Sequence, residues 1–191
     1  MNKLRFKDGK GDPRGFVLLL ISNGLHKGLI DRYRGNRLHV LFHLCGIYHE
    51  YHTIFVNFLR TGTSRGGLRS VTLKDFLSTT CRVEMQVLGL FGKLLSGPWV
   101  HSFYTSLESE ISHADAISEI RGVLQGLRER ISDPMSIFRM KAYFFGRELN
   151  SSDITLIALR ELPSEDEIQI ELFTQMMKAI LQSTVQVQEL F

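Results

Sequence analysis

A chain of 191 residues, 43% apolar and 23% charged, has the length and composition of one globular domain able to bury a core. That balance excludes disorder along the whole chain, and no run approaches the roughly 18–20 apolar residues that cross a bilayer. The formal net charge of +3 conceals an uneven split: residues 1–75 hold 13 Lys or Arg against 5 Asp or Glu (+8), and residues 76–191 hold 10 against 15 (−5).

Residues 1–14 carry Lys3, Arg5, Lys7, Lys10 and Arg14 among Gly9, Gly11 and Pro13, the pattern of a flexible basic arm. Phe16–Ile21 follows. It is shorter than a usual secretion-signal core of about 7–15 residues and has no small-residue cleavage site after it, so a buried strand is expected. Asn23-Gly24 then separates it from Leu25–Tyr33, a dipeptide suited to a type I′ hairpin because both central positions need positive φ. After the turn Arg34-Gly35-Asn36, Leu38, Val40, Phe42 and Leu44 alternate with Arg37, His39, Leu41 and His43. Beyond Cys45-Gly46, Tyr48, His52, Ile54, Val56 and Phe58 form a second period-2 row, rich in β-branched and aromatic residues. Residues 15–60 are therefore predicted to form an antiparallel β-meander of about four strands.

The Gly62, Gly66, Gly67 loop carries Arg60, Arg65 and Arg69. From Thr72 the period becomes helical: Thr72 and Asp75 resemble a capping box, and Leu73, Phe76, Leu77, Cys81, Met85, Leu88, Phe91 and Leu95 make one stripe, ended by Gly97-Pro98. A second helix is expected from Ser106, with Ile117, Ile120, Leu124, Leu127 and Ile131, stopped by Asp133-Pro134. These two helices fill residues 72–131. Alternation over Ser136–Phe145, then Ile154–Leu159, predicts a second β-hairpin within 135–160. Pro163-Ser164 with Glu167 opens an amphipathic helix over 164–183 carrying Ile168, Leu172, Met176 and Ile180. The predicted class is α+β, with residues 15–191 as a single domain.

The charge split points to phosphate, either a nucleic-acid backbone or an anionic membrane surface. The candidate binding residues are Lys3, Arg5, Lys7, Lys10, Arg14, Arg32, Arg34, Arg37, Arg60, Arg65 and Arg69, with Phe6, Phe16 and Tyr33 as stacking partners for unpaired bases. The plainer account is a solvated basic face, or one that meets the acidic half of another copy as a homo-oligomer.

Chemistry is weakly signalled. His39, His43, Cys45, His49 and His52 cluster in sequence, and imidazole and thiolate suit zinc. On a strand, however, His39 and His43 would lie roughly 13 Å apart. His43, Cys45, His49 and His52 are thus weak metal candidates, through cross-strand pairing only. The Gly9-Lys10-Gly11 and Gly62–Gly67 segments lack the P-loop pattern, although the second leads into a helix start where amides could receive an anion. No catalytic residue, cofactor or small-molecule substrate is indicated; Cys45 is the one thiol with a histidine base nearby. Trp99, between two helices, suits core packing or a partner-facing loop. Two isolated cysteines suit reduced thiols in a cytoplasmic or nuclear protein, peripheral to a membrane if it meets one and not secreted.

The expected function is a non-catalytic, self-associating protein that binds a polyanionic surface through its basic half. Size and charge, though no motif, are those of small viral matrix, structural or accessory proteins. Two alternatives stand beside it: a protein–protein adaptor using the C-terminal amphipathic helix, and a His/Cys metal-dependent enzyme.

Overall fold

In the computed structural model, which describes residues 12–30, 38–61, 67–105, 113–162 and 166–188, the first described element is a helix that starts within the predicted arm and replaces the strand predicted over Phe16–Ile21. Asp12 caps it, its carboxylate accepting from the Gly15 amide at 2.8 Å, and Pro13 occupies the first turn, where its missing N–H costs nothing. Helix α1 runs Pro13–Ser22. Asn23-Gly24 is its C-terminus and not a hairpin: Gly24 takes φ +69°, its amide reaches the Ile21 carbonyl, and the Leu25 amide reaches that of Leu20. These are the paired bonds of a Schellman motif, which needs the same positive-φ glycine as a type I′ turn.

The predicted strand Leu25–Tyr33 has turns and irregular chain over residues 25–30 and otherwise lies outside the described residues; the last two predicted strands are helical, as α2 (Leu38–Glu50) and α3 (His52–Thr61). Four consecutive residues of α2, Leu44 to Ile47, are buried, so the helix is enclosed along that turn, while Leu38, His39, Leu41 and His43 before it are exposed and no single apolar stripe marks it. Short windows of such a helix match alternation by accident. In α3 the buried Phe55, Val56, Phe58 and Leu59 follow helical spacing.

The single helix expected from Thr72 is two, α4 (Leu68–Leu77) and α5 (Thr79–Phe91), broken where Ser78 is extended (φ −74°, ψ 131°). Thr72 is inside α4 and returns its hydroxyl to the Leu68 carbonyl, so it caps nothing. Nor does Gly97-Pro98 end α5. The chain continues through a π-helical turn at Gly92–Ser96, the short α6 (Gly97–Val100) and a second π-helical turn at His101–Thr105. The second of the expected helices is α7 (His113–Ser132); its expected start at Ser106 lies outside the described residues.

The predicted second hairpin is a 3₁₀ segment (Pro134–Arg139), one isolated antiparallel bridge between Ala142 and Glu148, and helix α8 (Ile154–Leu159), capped by Asp153. Helix α9 (Glu167–Gln188) stands where the C-terminal helix was expected, with its buried stripe one position along: Phe173, Met177, Leu181 and Val185. Each fully enclosed side chain there contributes on the order of 1.5–3 kcal/mol. Among the described residues 79% are helical and none lies in a strand, so the class is all-α, not α+β.

Two apolar clusters organise these helices. One gathers α1, α2, α3 and α4 around Phe16, Leu20, Phe55 and Phe76; the other gathers α5, α7, α8 and α9 around Leu90, Leu94, Leu127, Leu159 and Phe173. Helices α2 and α5 join them, in contact at Gly46 and Gly89. A Cβ on Gly89 would lie 2.9 Å from the Gly46 Cα, and one on Gly92 would lie 2.7 Å from the Phe42 Cβ.

Candidate functional site

Of the predicted phosphate-binding residues, Lys3, Arg5, Lys7, Lys10, Arg32, Arg34, Arg37 and Arg65 lie outside the described residues. Arg14 is exposed on the first turn of α1, and Arg60 is exposed on the last turn of α3. Both belong to the N-terminal cluster, where Phe16 of α1 packs edge-on against Phe58 of α3 with centroids 5.4 Å apart. Between the two helices is a cleft of ≈ 470 Å³ lined by Asp12, Leu18, Ile21, Phe58 and Thr61.

Arg69 is different. It is only 7% exposed, and its guanidinium donates to the Leu59 and Phe58 carbonyls at the end of α3 while lying 4.4 Å from the Phe58 ring centroid. It satisfies carbonyls that the helix leaves open, so it is a structural residue unavailable to a phosphate. Phe16, expected as a base-stacking partner, is wholly buried. Phe6 and Tyr33 are outside the described residues.

The histidine–cysteine cluster is rearranged by the helix. His39 and His43, which a strand would hold far apart, are one turn apart on α2, both exposed and facing one cleft. The four weak metal candidates do not converge. Cys45 is in the N-terminal core, and burial, with the nearby Glu84 carboxylate next, pushes its thiol up to about 12. A thiol so held stays protonated at neutral pH and is a poor nucleophile and ligand. His49 sits where α2, α5 and α8 meet, near the Arg82 and Ala158 backbone; burial first, then the Arg82 charge, lowers its imidazole to about 4. His52 Nε2 donates to the Phe76 carbonyl at 2.6 Å, and its ring stacks on that of Phe76. Among the described residues, no three His, Cys, Asp or Glu side chains come close enough to hold a metal ion.

Sequence reasoning missed two clefts at the π-helical end of α5. One, of ≈ 350 Å³, is lined by His39, His43, Lys93, Tyr143 and Asp153. Lys93 pairs with Asp153 at 2.8 Å, and the same carboxylate accepts the Leu156 amide, so the cation is already compensated. The other, of ≈ 370 Å³, is apolar, with Phe42, Leu95, Trp99 and Leu124 among its walls. Trp99 is half-buried against Phe103 and Phe145, with centroids 4.6 and 6.0 Å away. The only trace of these features in sequence is Gly97-Pro98, which signals an irregular helix but not what lines it.

Compared with protein-family models, curated proteins and solved structures, the chain has no significant match.

Proposed function

We propose that this is a non-catalytic, self-associating protein that holds a polyanion, a nucleic-acid backbone or an anionic membrane, through its basic N-terminal lobe. The observation that carries the reading is the coincidence of two boundaries. The sign of the charge changes near residue 75, and the first apolar cluster is built mainly by the helices before that point, with α5 shared between the two clusters. The helices that carry the described basic residues of this half, Arg14, Arg60, Arg69 and Lys74, all contribute to the first cluster, which supports reading the +8 as one surface and not as an average. Arg14 and Arg60, both exposed there, are consistent with this. The adaptor alternative is weakened because α9 commits Phe173, Met177, Leu181 and Val185 to the core, and the His/Cys metal-dependent enzyme because His43, Cys45, His49 and His52 do not converge among the described residues. No helix among the described residues is long and apolar enough to cross a membrane, which fits peripheral contact. A cytoplasmic or nuclear location is part of the same proposal.

The test is salt-dependent retention on heparin, single-stranded RNA and phosphatidylserine vesicles. Retention should weaken with salt and fall further in Arg60→Glu/Arg65→Glu, with the salt slope on nucleic acid reduced by about two. The preferred support distinguishes nucleic acid from lipid. Salt-independent retention, or none on any support, overturns the reading.

A further inference from the structure

Two helix faces of opposite charge share one spacing. On α1, Arg14, Leu18 and Ile21 lie at intervals of four and three, which places them on one face. All are exposed, Leu18 at 65% and Ile21 at 48%. In the other lobe Glu161, Ile157 and Ile154 are spaced four and three in the reverse direction along α8 and the turn after it, where the Glu161 amide still reaches the Ala158 carbonyl. These too are exposed, Ile157 at 52% and Ile154 at 67%. Asp166 and Glu167 are exposed in the acidic segment that follows. Laid antiparallel, the two stripes set Arg14 against Glu161, Leu18 against Ile157 and Ile21 against Ile154. The cleft beside Leu18 and Ile21 offers the first stripe a concave neighbour for the α8 ridge.

We infer that α1 of one copy docks on α8 of a second copy, basic lobe on acidic lobe, in a head-to-tail contact. The inference rests on the self-association in the proposed function and specifies its geometry. Charge complementarity selects a second copy over a foreign partner: the chain carries both halves of the contact, with Arg14 at the end of one apolar pair and Glu161 at the matching end of the other, while Asp12 and Arg160 are held locally by the Gly15 amide and the Phe138 and Met140 carbonyls. Such a contact is heterologous, so each dimer retains one unused face of each kind, one on either copy, and assembly continues into rings or filaments. Arg14 is common to this contact and to the basic lobe, whereas Arg60 and Ile157 each serve only one.

Sedimentation of the full chain tests this. At about 50 mM salt the wild type should form species that grow with concentration, and these should shrink at about 500 mM. Leu18→Asp and Ile157→Asp should each be monomeric, yet an equimolar mixture should form a 1:1 dimer and nothing larger, since each variant retains the face the other has lost. Arg14→Glu should weaken assembly at least about tenfold, and Arg14→Glu/Glu161→Arg should restore it. Far-UV circular dichroism checks that these exposed substitutions leave the fold intact. A wild type monomeric throughout, either single variant that still assembles alone, or a mixture that stays monomeric overturns the inference. Ile157→Asp should keep full heparin retention; loss of retention by the wild type would instead strike the polyanion reading.

Discussion

The carbonyl of Leu94 accepts a hydrogen bond from the amide of Phe144 at 3.3 Å, fifty residues along the chain. In an uninterrupted α-helix that carbonyl would be served by residue 98, but residue 98 is a proline with no N–H to give. The helix accommodates it with a π-helical turn, in which the Gly97 amide reaches back five residues to Gly92, and Gly97 itself has no Cβ to meet the proline ring. The Leu94 carbonyl fastens the Tyr143–Arg147 turn to the side of the helix that continues α5. Pro98→Ala would supply a competing donor. Amide exchange at Phe144 should therefore accelerate several-fold while exchange in α9 is unchanged; an unchanged Phe144 would mean that its bond does not depend on the proline.

Two glycines in helices should respond to alanine with opposite signs. A Cβ on Gly89 would sit 2.7 Å from the Leu159 side chain and 2.9 Å from the Gly46 backbone, and a backbone cannot swing aside as a side-chain end can. Gly89→Ala should cost roughly 1–3 kcal/mol by forcing α2 and α5 apart. Gly122 in α7 is exposed, and a methyl group placed there would meet nothing within 4 Å, so Gly122→Ala should stabilise by roughly 0.5–1 kcal/mol through helix propensity. Urea titration of the two variants beside the wild type measures both.

Periodicity identified the longer helices, and it failed in the short N-terminal ones, where few turns are available to mark the period. Helix α9 has exposed polar residues opposite Phe173 and Met177, so its 3.6-residue pattern is plain and only its phase shifts by one. Helix α2 is buried along Leu44–Ile47 and carries exposed Leu38 and Leu41 beside exposed His39 and His43, which blurs its period, and its β-branched and aromatic neighbour α3 favoured a strand. Asn23-Gly24 and Asp12-Pro13 were ambiguous in a different way. The first supplies the positive φ that both hairpins and Schellman ends require, and the second was absorbed into a supposed arm although together it makes a cap and a first turn. For the candidate site, the charge boundary was legible because charge adds along the chain. The inward turn of Arg69 was not, because nothing local distinguishes a guanidinium facing phosphate from one facing the end of a helix.

That distinction can be measured. Arg69 donates to two backbone carbonyls in a buried setting, whereas Arg60 is exposed. Arg69→Ala should destabilise by about 2–3 kcal/mol, since charged hydrogen bonds are lost and buried carbonyls are left unpaired. Arg69→Lys should recover only part of this, lacking the planar fork that reaches both carbonyls and covers Phe58. Arg60→Ala should change stability by less than about 0.5 kcal/mol and reveal itself only in polyanion retention. Thermal melts of the three variants separate the outcomes, and an Arg69→Ala protein as stable as the wild type would return Arg69 to the surface.

His49 ties stability to pH. Its imidazole is lowered to about 4 in the folded protein by burial and by Arg82, against about 6.5 when unfolded, and burial lowers His52 in the same direction. Between those two values the unfolded chain binds more protons than the folded one, so stability is full above about pH 6.5 and falls as pH drops toward 4. For His49 alone the loss at pH 5 is on the order of 1–2 kcal/mol, at a pH where most carboxylates remain ionised. His49→Gln keeps a hydrogen-bonding side chain near the Arg82 and Ala158 backbone but cannot take up a proton. Its stability should be lower than the wild type's at pH 7 and should fall less between pH 7 and pH 5. Urea midpoints at the two pH values decide it: equal acid sensitivity in both proteins would place the titrating group elsewhere.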